Sequence, residues 1–114
     1  MANTGVMTLF KEYLENEKGY SKHTPAKPLY GVEDAKSVFK HFGFDSVTIN
    51  PYMGEDSILP FIKDTEKGVF ILCRTSNPSA KDLQNKLTEG KPLFHQVAML
   101  AKKLNNLDNI GLVI

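Results

Sequence analysis

The chain has 114 residues, of which 14 are Lys or Arg and 13 are Asp or Glu, so its formal net charge is +1. A chain of this length forms one domain at most, and its interspersed charges leave no basic stripe for nucleic acid. No apolar stretch is long enough to span a bilayer, the N-terminus lacks a signal-peptide pattern, and the single cysteine, Cys73, excludes an intrachain disulfide. These features predict a cytoplasmic protein with no membrane or nucleic-acid partner.

The first predicted element is an amphipathic helix over residues 5–17, capped by Asn3 or Thr4. Its apolar residues recur with helical spacing and are Val6, Leu9, Phe10, Tyr13 and Leu14. Residues 19–33 contain two prolines, two glycines and no sustained period, which predicts a loop or an insertion. His23 lies there without a Cys, Asp or second His at ligand spacing, so we predict no metal site.

A second helix and a strand are predicted next. Asp34 is the predicted N-cap, Gly43 is the predicted C-terminal stop, and the apolar positions between them have helical spacing. Those positions are Ala35, Val38, Phe39 and Phe42. Residues 46–50 include the β-branched residues Val47, Thr48 and Ile49, and Pro51 follows them. We therefore predict a strand that ends there.

The stretch around 69–73 is the strongest strand signal, because it is continuously apolar. This pattern is typical of a parallel strand that is covered on both faces. Asn77 and Pro78 end it, and residues 79–82 have the S-x-x-D pattern of an N-cap, which predicts a helix over 81–87. Polar residues 74–77 fall at the carboxyl end of the strand, where α/β proteins bind ligands, although ordinary turn and capping roles explain them equally well.

The remaining elements alternate in type. A helix is predicted from residue 55 or 56 to 62, and Pro60 should make it short or distorted. A later helix is predicted with Pro92 at position N1. Its apolar stripe consists of Leu93, Val97, Leu100, Ala101 and Leu104. An apolar strand over 110–114 follows. Alternation of strands and helices predicts an α/β fold of βαβ units with parallel strands at about 46–50, 69–73 and 110–114.

Two long motifs resemble one family. Residues 47–57, VTINPYMGEDS, and 68–78, GVFILCRTSNP, are similar to the fourth and fifth strands, with their loops, of orotidine 5'-phosphate decarboxylases of the second bacterial type. Residues 82–84 and 110–113 also resemble that family, and residues 2–4 are similar to the end of its D-x-K-x-x-D-I-x-x-T motif. The resemblance therefore covers most of residues 34–114 and touches the N-terminus.

The resemblance implies a (β/α)8 barrel that works as a homodimer. Such enzymes convert orotidine 5'-monophosphate to UMP and CO₂ without metal or organic cofactor, using a Lys-Asp-Lys-Asp array. We expect the array to precede residue 1, because residues 2–4 match the end of the motif that carries it. Asp34 and Lys36 imitate its D-x-K spacing, but they lie on a predicted helix and not at the end of a strand. Asp34 is interpreted as a cap and Lys36 as a solvated side chain. The chain is therefore expected to be a central segment of the barrel, with an insertion at 19–33 and no catalytic residue of its own.

The same resemblance assigns a few binding roles. Ser76 matches the serine that recognises the pyrimidine ring, and Thr4 matches the threonine that reaches toward the ribose across the dimer. Asn50, Arg74 and Thr75 are weaker candidates at the same barrel mouth. The expected partners are a pyrimidine nucleotide and either a second copy or a complementing barrel segment. The alternative is a non-catalytic α/β module that binds nucleotides or serves a structural role, and in either case the isolated chain is predicted to be inactive.

Overall fold

The computed structural model describes residues 28–114. The predicted helix over 5–17, its caps, His23 and Thr4 lie outside these residues. The elements run in chain order, and we label the α-helices and strands from α1 and β1 onward. They are α1 (Gly31–Lys36), a π-helical turn (Ser37–His41), β1 (Ser46–Ile49), a 3₁₀ helix (Pro51–Met53), α2 (Glu55–Ile62), β2 (Gly68–Leu72), a second 3₁₀ helix (Pro78–Asp82), β3 (Leu87–Thr88), β4 (Lys91–Pro92), α3 (Leu93–Leu104) and β5 (Ile110–Val113).

The main sheet has three strands in the order β1-β2-β5, and both pairings are parallel. Val47 pairs with Val69, which pairs in turn with Ile110. Parallel neighbours need a crossover, and α2 supplies it between β1 and β2, while α3 precedes β5. The predicted α/β fold with three parallel strands in chain order is confirmed.

The helix before β1 starts earlier than predicted. It begins at Gly31, so the last residues of the predicted 19–33 loop are helical. Asp34 does not stand at the N-cap but in the first turn, where its carboxylate accepts a 2.7 Å hydrogen bond from the backbone N–H of Tyr30. A carboxylate there satisfies a free donor at the helix start. Asp34 therefore stabilises the helix start, as a cap would, but from the first turn and not from the N-cap. Gly43 ends the helical segment with a φ of +70°, as predicted.

The core lies between the sheet and the helices on one of its faces. Ile58 and Phe61 of α2 are fully buried, as is Ile71 of β2. The rings of Phe39 and Phe61 meet edge to face with centroids 6.2 Å apart. Pro60 lies inside α2 and removes a backbone donor, and the helix ends two residues later, so the prediction of a short helix is confirmed.

The opposite face of the sheet is open among residues 28–114. Val69 and Ile71 point toward the helices and are buried, whereas Phe70 between them is 44% exposed. Thr48, its neighbour in register on β1, is also exposed. Among residues 28–114 the helices cover one face of the central strand, as predicted for that face, and the cover of its other face stays a prediction.

The predicted helix over 81–87 is also wrong. The chain forms a 3₁₀ helix over Pro78–Asp82, with Asn77 and not Ser79 at its N-cap, and then turns into a small hairpin of β3 and β4. Leu83 is 66% exposed and Leu87 is 72% exposed. Without an apolar face to bury, the segment gains too little from packing to sustain a regular helix.

The last helix and strand follow the predicted pattern. The helix α3 covers the predicted residues, although Pro92 stands one position earlier than predicted, at the N-cap. Ala101 and Leu104 of its apolar stripe are buried. The side chain of Asn105 accepts a hydrogen bond of 3.1 Å from the backbone N–H of Ile110 and so positions the start of β5. No helix within the described part of the chain is long and apolar enough to cross a membrane.

Candidate site at the carboxyl end of the parallel strands

The polar residues singled out by the sequence meet at one edge of the sheet. Asn50 directly follows β1, and residues 74–77 follow β2 by one residue. Because the strands are parallel, their carboxyl ends lie at the same edge. This is the edge where α/β folds hold their ligands.

Arg74 anchors the start of the loop after β2. The backbone N–H groups of Cys73 and Arg74 both donate to the carbonyl of Val113, at 3.1 and 2.9 Å. The Arg74 guanidinium lies 5.8 Å from the centroid of the Phe94 ring and donates to the carbonyl of Thr75. Between residues 28 and 114 no carboxylate forms an ion pair with it. Its positive charge is therefore unpaired among the described residues.

Thr75 is held by a hydrogen-bond network with Gln84 and Asn77. Its backbone N–H donates to Oε1 of Gln84 at 2.8 Å, and its hydroxyl accepts from Nε2 of the same side chain at 2.8 Å. The Thr75 hydroxyl also lies 2.6 Å from Oδ1 of Asn77, to which it donates. The polar groups of Thr75 are thus occupied by the protein itself.

Ser76 differs from its neighbours. Its side chain is exposed and makes no hydrogen bond to any of the described residues. Residues on both sides of it are held by hydrogen bonds. Thr75 bonds to Gln84, and the backbone N–H of Ala80 donates to the carbonyl of Asn77 at 3.1 Å. Among residues 28–114 the Ser76 hydroxyl is therefore unbonded, while the residues on either side of it are held by hydrogen bonds.

Asn50 has a local structural role. Its Oδ1 accepts a 2.9 Å hydrogen bond from the backbone N–H of Tyr52 and caps the first 3₁₀ helix. Beside it a mainly apolar groove of about 360 Å³ opens between the residues after β1 and the α3 helix, with Val97 and Leu100 on its wall. The Nδ2 group of Asn50 donates to none of the described residues.

Cys73 is a packed thiol. It is buried and its Sγ donates to the carbonyl of Phe94 at 3.2 Å. Burial raises the pKa of the Cys73 thiol, which keeps it protonated and unreactive at neutral pH. Within the described ranges no three His, Cys, Asp or Glu side chains are placed to hold a metal ion.

The structure thus brings together four of the five predicted site residues. Asn50, Arg74, Thr75 and Ser76 share the carboxyl edge of the sheet, and Thr4 lies outside the described residues. The sequence pattern does not assign Gln84 to the site, although residues 82–84 belong to the part of the chain that resembles the family. Its contact spans nine residues and depends on how the chain turns after β2, which periodicity does not report.

Comparisons with known proteins identify the family. The model of the orotidine 5'-phosphate decarboxylase / HUMPS family matches residues 32–114. The chain belongs to this family. The chain is 55% identical over 71 residues to an orotidine 5'-phosphate decarboxylase of Halorubrum lacusprofundi and 46% identical over 82 residues to one of Roseiflexus castenholzii. These alignments cover 61% and 70% of this chain.

Solved structures of the family show the same fold. The structure of Leishmania donovani OMP decarboxylase superposes with a TM-score of 0.67 at 42% sequence identity, over 70% of this chain. The likeness confirms that the three-stranded parallel sheet is part of a (β/α)8 barrel. The aligned part is 26% of the Halorubrum protein, 30% of the Roseiflexus protein and 32% of the Leishmania chain, so this chain spans about a third or less of the relatives it matches.

Proposed function

We propose that the chain is a central segment of an orotidine 5'-phosphate decarboxylase of the second bacterial type. The complete enzyme would convert orotidine 5'-monophosphate to UMP and CO₂. The observation that supports this proposal most strongly is the family match over residues 32–114, the same residues that form the parallel sheet and its polar carboxyl edge.

Ser76 is the proposed contact to the pyrimidine ring. Its hydroxyl is exposed at the carboxyl end of β2 and is free of hydrogen bonds within residues 28–114, so it can donate to or accept from a base. Arg74 is the proposed source of positive charge nearby, because no carboxylate of those residues is paired with it. Thr75 is proposed to shape the rim, since its N–H and hydroxyl already bond to the protein. Asn50 is proposed to do the same, since its Oδ1 caps the first 3₁₀ helix. Thr4 is proposed to contact the ribose.

Catalysis is proposed to need Lys and Asp residues that this chain does not contain. The D-x-K spacing of Asp34 and Lys36 does not provide them, because both lie on α1 and not at the end of a strand. Asp34 is engaged with the N–H of Tyr30, and Lys36 is exposed. We therefore expect this chain alone to be inactive. The complete enzyme is proposed to work without a metal or organic cofactor.

The expected partners are a pyrimidine nucleotide and another barrel segment or copy of the chain. In the described structure β1 and β5 each pair on one side only, and the face that carries Phe70 is open. Unpaired strand edges recruit other strands, so we propose that the chain self-associates or is complemented. We further propose that it is cytoplasmic and that residues 19–33 include an insertion.

The test is a decarboxylation assay of the full translation product that contains residues 1–114. The wild-type protein should release CO₂ from orotidine 5'-monophosphate. Ser76→Ala should lower kcat/KM, because a desolvated hydrogen bond to the base is lost. The loss of transition-state stabilisation should be about 1–3 kcal/mol. Ser79→Ala is the matched control, since Ser79 is also exposed but lies on the 3₁₀ helix.

Two results would count against the proposal. An inactive wild-type product would exclude the decarboxylase function and favour the non-catalytic module. An active product in which Ser76→Ala and Ser79→Ala behave alike would remove Ser76 from the binding site while leaving the activity assigned.

A further inference from the structure

We infer that Gln84 is a positioning residue that holds the loop after β2 so that Ser76 presents its hydroxyl in one fixed place. The inference rests on the proposed function, because it assigns a role within the same binding site. Gln84 is half-buried in the turn after the second 3₁₀ helix and is separated from Thr75 by nine residues of chain. It does not contact the substrate in this proposal and acts through Thr75.

The amide of Gln84 uses both of its ends on Thr75. Oε1 accepts from the Thr75 backbone N–H, and Nε2 donates to the Thr75 hydroxyl, each at 2.8 Å. The hydroxyl is then directed to donate to Asn77, on the other side of Ser76. A carboxylate lacks the donor and an aliphatic side chain lacks both groups, so among similar side chains only an amide satisfies this arrangement.

Gln84 is itself fixed to the body of the fold. Its backbone N–H donates to the carbonyl of Ala80 at 2.9 Å, and its carbonyl accepts from the N–H of Phe94 at 3.1 Å. Phe94 belongs to the first turn of α3. The backbone of Gln84 is therefore bonded to α3, and its side-chain amide is bonded to Thr75, the residue next to Ser76.

Ser76 has no restraint of its own. Its side chain makes no hydrogen bond within the described residues, so the two flanking residues determine where the hydroxyl points. Removing the Gln84 amide would free Thr75 and let the loop sample other conformations. The substrate would then have to order the loop on binding, a cost that is present in both the ground state and the transition state. Such a cost raises KM more than it lowers kcat.

The experiment is a double-mutant cycle in the full translation product, with decarboxylation of orotidine 5'-monophosphate as the assay. Gln84→Ala should raise KM about tenfold while kcat falls less than about threefold. Adding Gln84→Ala to Ser76→Ala should change kcat/KM by less than about twofold, because the group that Gln84 positions is already absent. Asn85→Ala is the control, since Asn85 is exposed in the same turn, and it should match the wild-type protein.

Gln84→Glu provides a second variant if Gln84→Ala does not fold. It keeps the length and the acceptor for the Thr75 N–H but loses the donor to the hydroxyl, so KM should rise by less than in Gln84→Ala and the increase should again vanish in the Ser76→Ala background. Equal effects of the Gln84 substitutions in the two backgrounds would overturn the inference and leave only a structural role. An unchanged KM in both Gln84 variants would also overturn it. If the wild-type product itself has no activity, the proposed function fails first, and that outcome is visible before any variant is compared.

Discussion

Asn109 offers a sharp test of what holds the parallel sheet to its first crossover. It precedes β5, and its Nδ2 lies 2.9 Å from the carbonyl of Ile62, 3.2 Å from that of Asp64 and 3.3 Å from that of Lys67. These three carbonyls belong to the end of α2 and the loop that leads into β2. One side chain thus joins the start of β5 to the segment that enters the central strand, and we predict that Asn109→Ala destabilises the chain.

The size of the effect follows from the number of donors. The amide has two hydrogens for three acceptors, so about two net hydrogen bonds are lost, each contributing about 1 kcal/mol to the free energy of unfolding. Water can reach part of this cluster, which keeps the cost below that of fully buried unpaired carbonyls. The Oδ1 atom is buried without a partner among residues 28–114, and its removal offsets part of the loss. The expected net destabilisation is about 1–2 kcal/mol.

Equilibrium urea unfolding at one fixed protein concentration measures this change. With a slope of about 2 kcal/mol per molar urea, the midpoint should fall by roughly 0.5–1 M. Asn106→Ala is the control, because Asn106 lies exposed in the same turn and its side chain makes no hydrogen bond to the described residues. If Asn109→Ala unfolds at the same urea concentration as Asn106→Ala, the three carbonyl contacts contribute nothing to stability and the reasoning is wrong.

Three further predictions concern the open face, the buried thiol and the strand edges. Gly111→Ala should destabilise the chain by about 1–2 kcal/mol in urea unfolding, because the new Cβ would lie 2.9 Å from ring atoms of Phe70. The loss should shrink in a Phe70→Ala background, and an equal loss there would contradict the clash. Burial raises the pKa of the Cys73 thiol, so the unfolded state loses its proton first as the pH rises. The free energy of unfolding should then decline above the ordinary thiol pKa of about 8.5 more steeply in the wild-type chain than in Cys73→Ala, and parallel pH profiles would refute this. Sedimentation of residues 1–114 should show a self-associated species, whereas a stable folded monomer at high concentration would count against the unpaired edges as association sites.

The candidate site was partly visible in the sequence. Arg74, Thr75 and Ser76 follow an apolar run, and a polar segment at the end of a buried strand predicts a ligand-binding edge. Which of these side chains is free was not visible. Thr75 and Ser76 are similar hydroxyl residues side by side, yet one is saturated by Gln84 and the other is exposed. That difference arises from contacts between residues distant in the chain, which no local pattern records.

The apolar pattern by itself determined the parallel sheet and the helix that precedes its last strand. The strands near 46–50, 69–73 and 110–114 and the helix over 93–104 follow from runs and stripes of apolar residues, because burying those residues is the main favourable term in folding. Their predicted bounds agree with the structure to within one residue or two.

Tertiary structure alone decided the segment between β2 and α3 and the covering of the sheet. Residues 79–82 have the pattern of a helix start, but no surface among residues 28–114 buries Leu83 and Leu87, and a 3₁₀ helix and a hairpin form instead. The apolar character of β2 predicted two covered faces, and packing supplies a cover on only one within the described residues, which leaves Phe70 exposed. Local propensities are worth a fraction of a kcal/mol per residue, so the availability of a packing partner decides such segments.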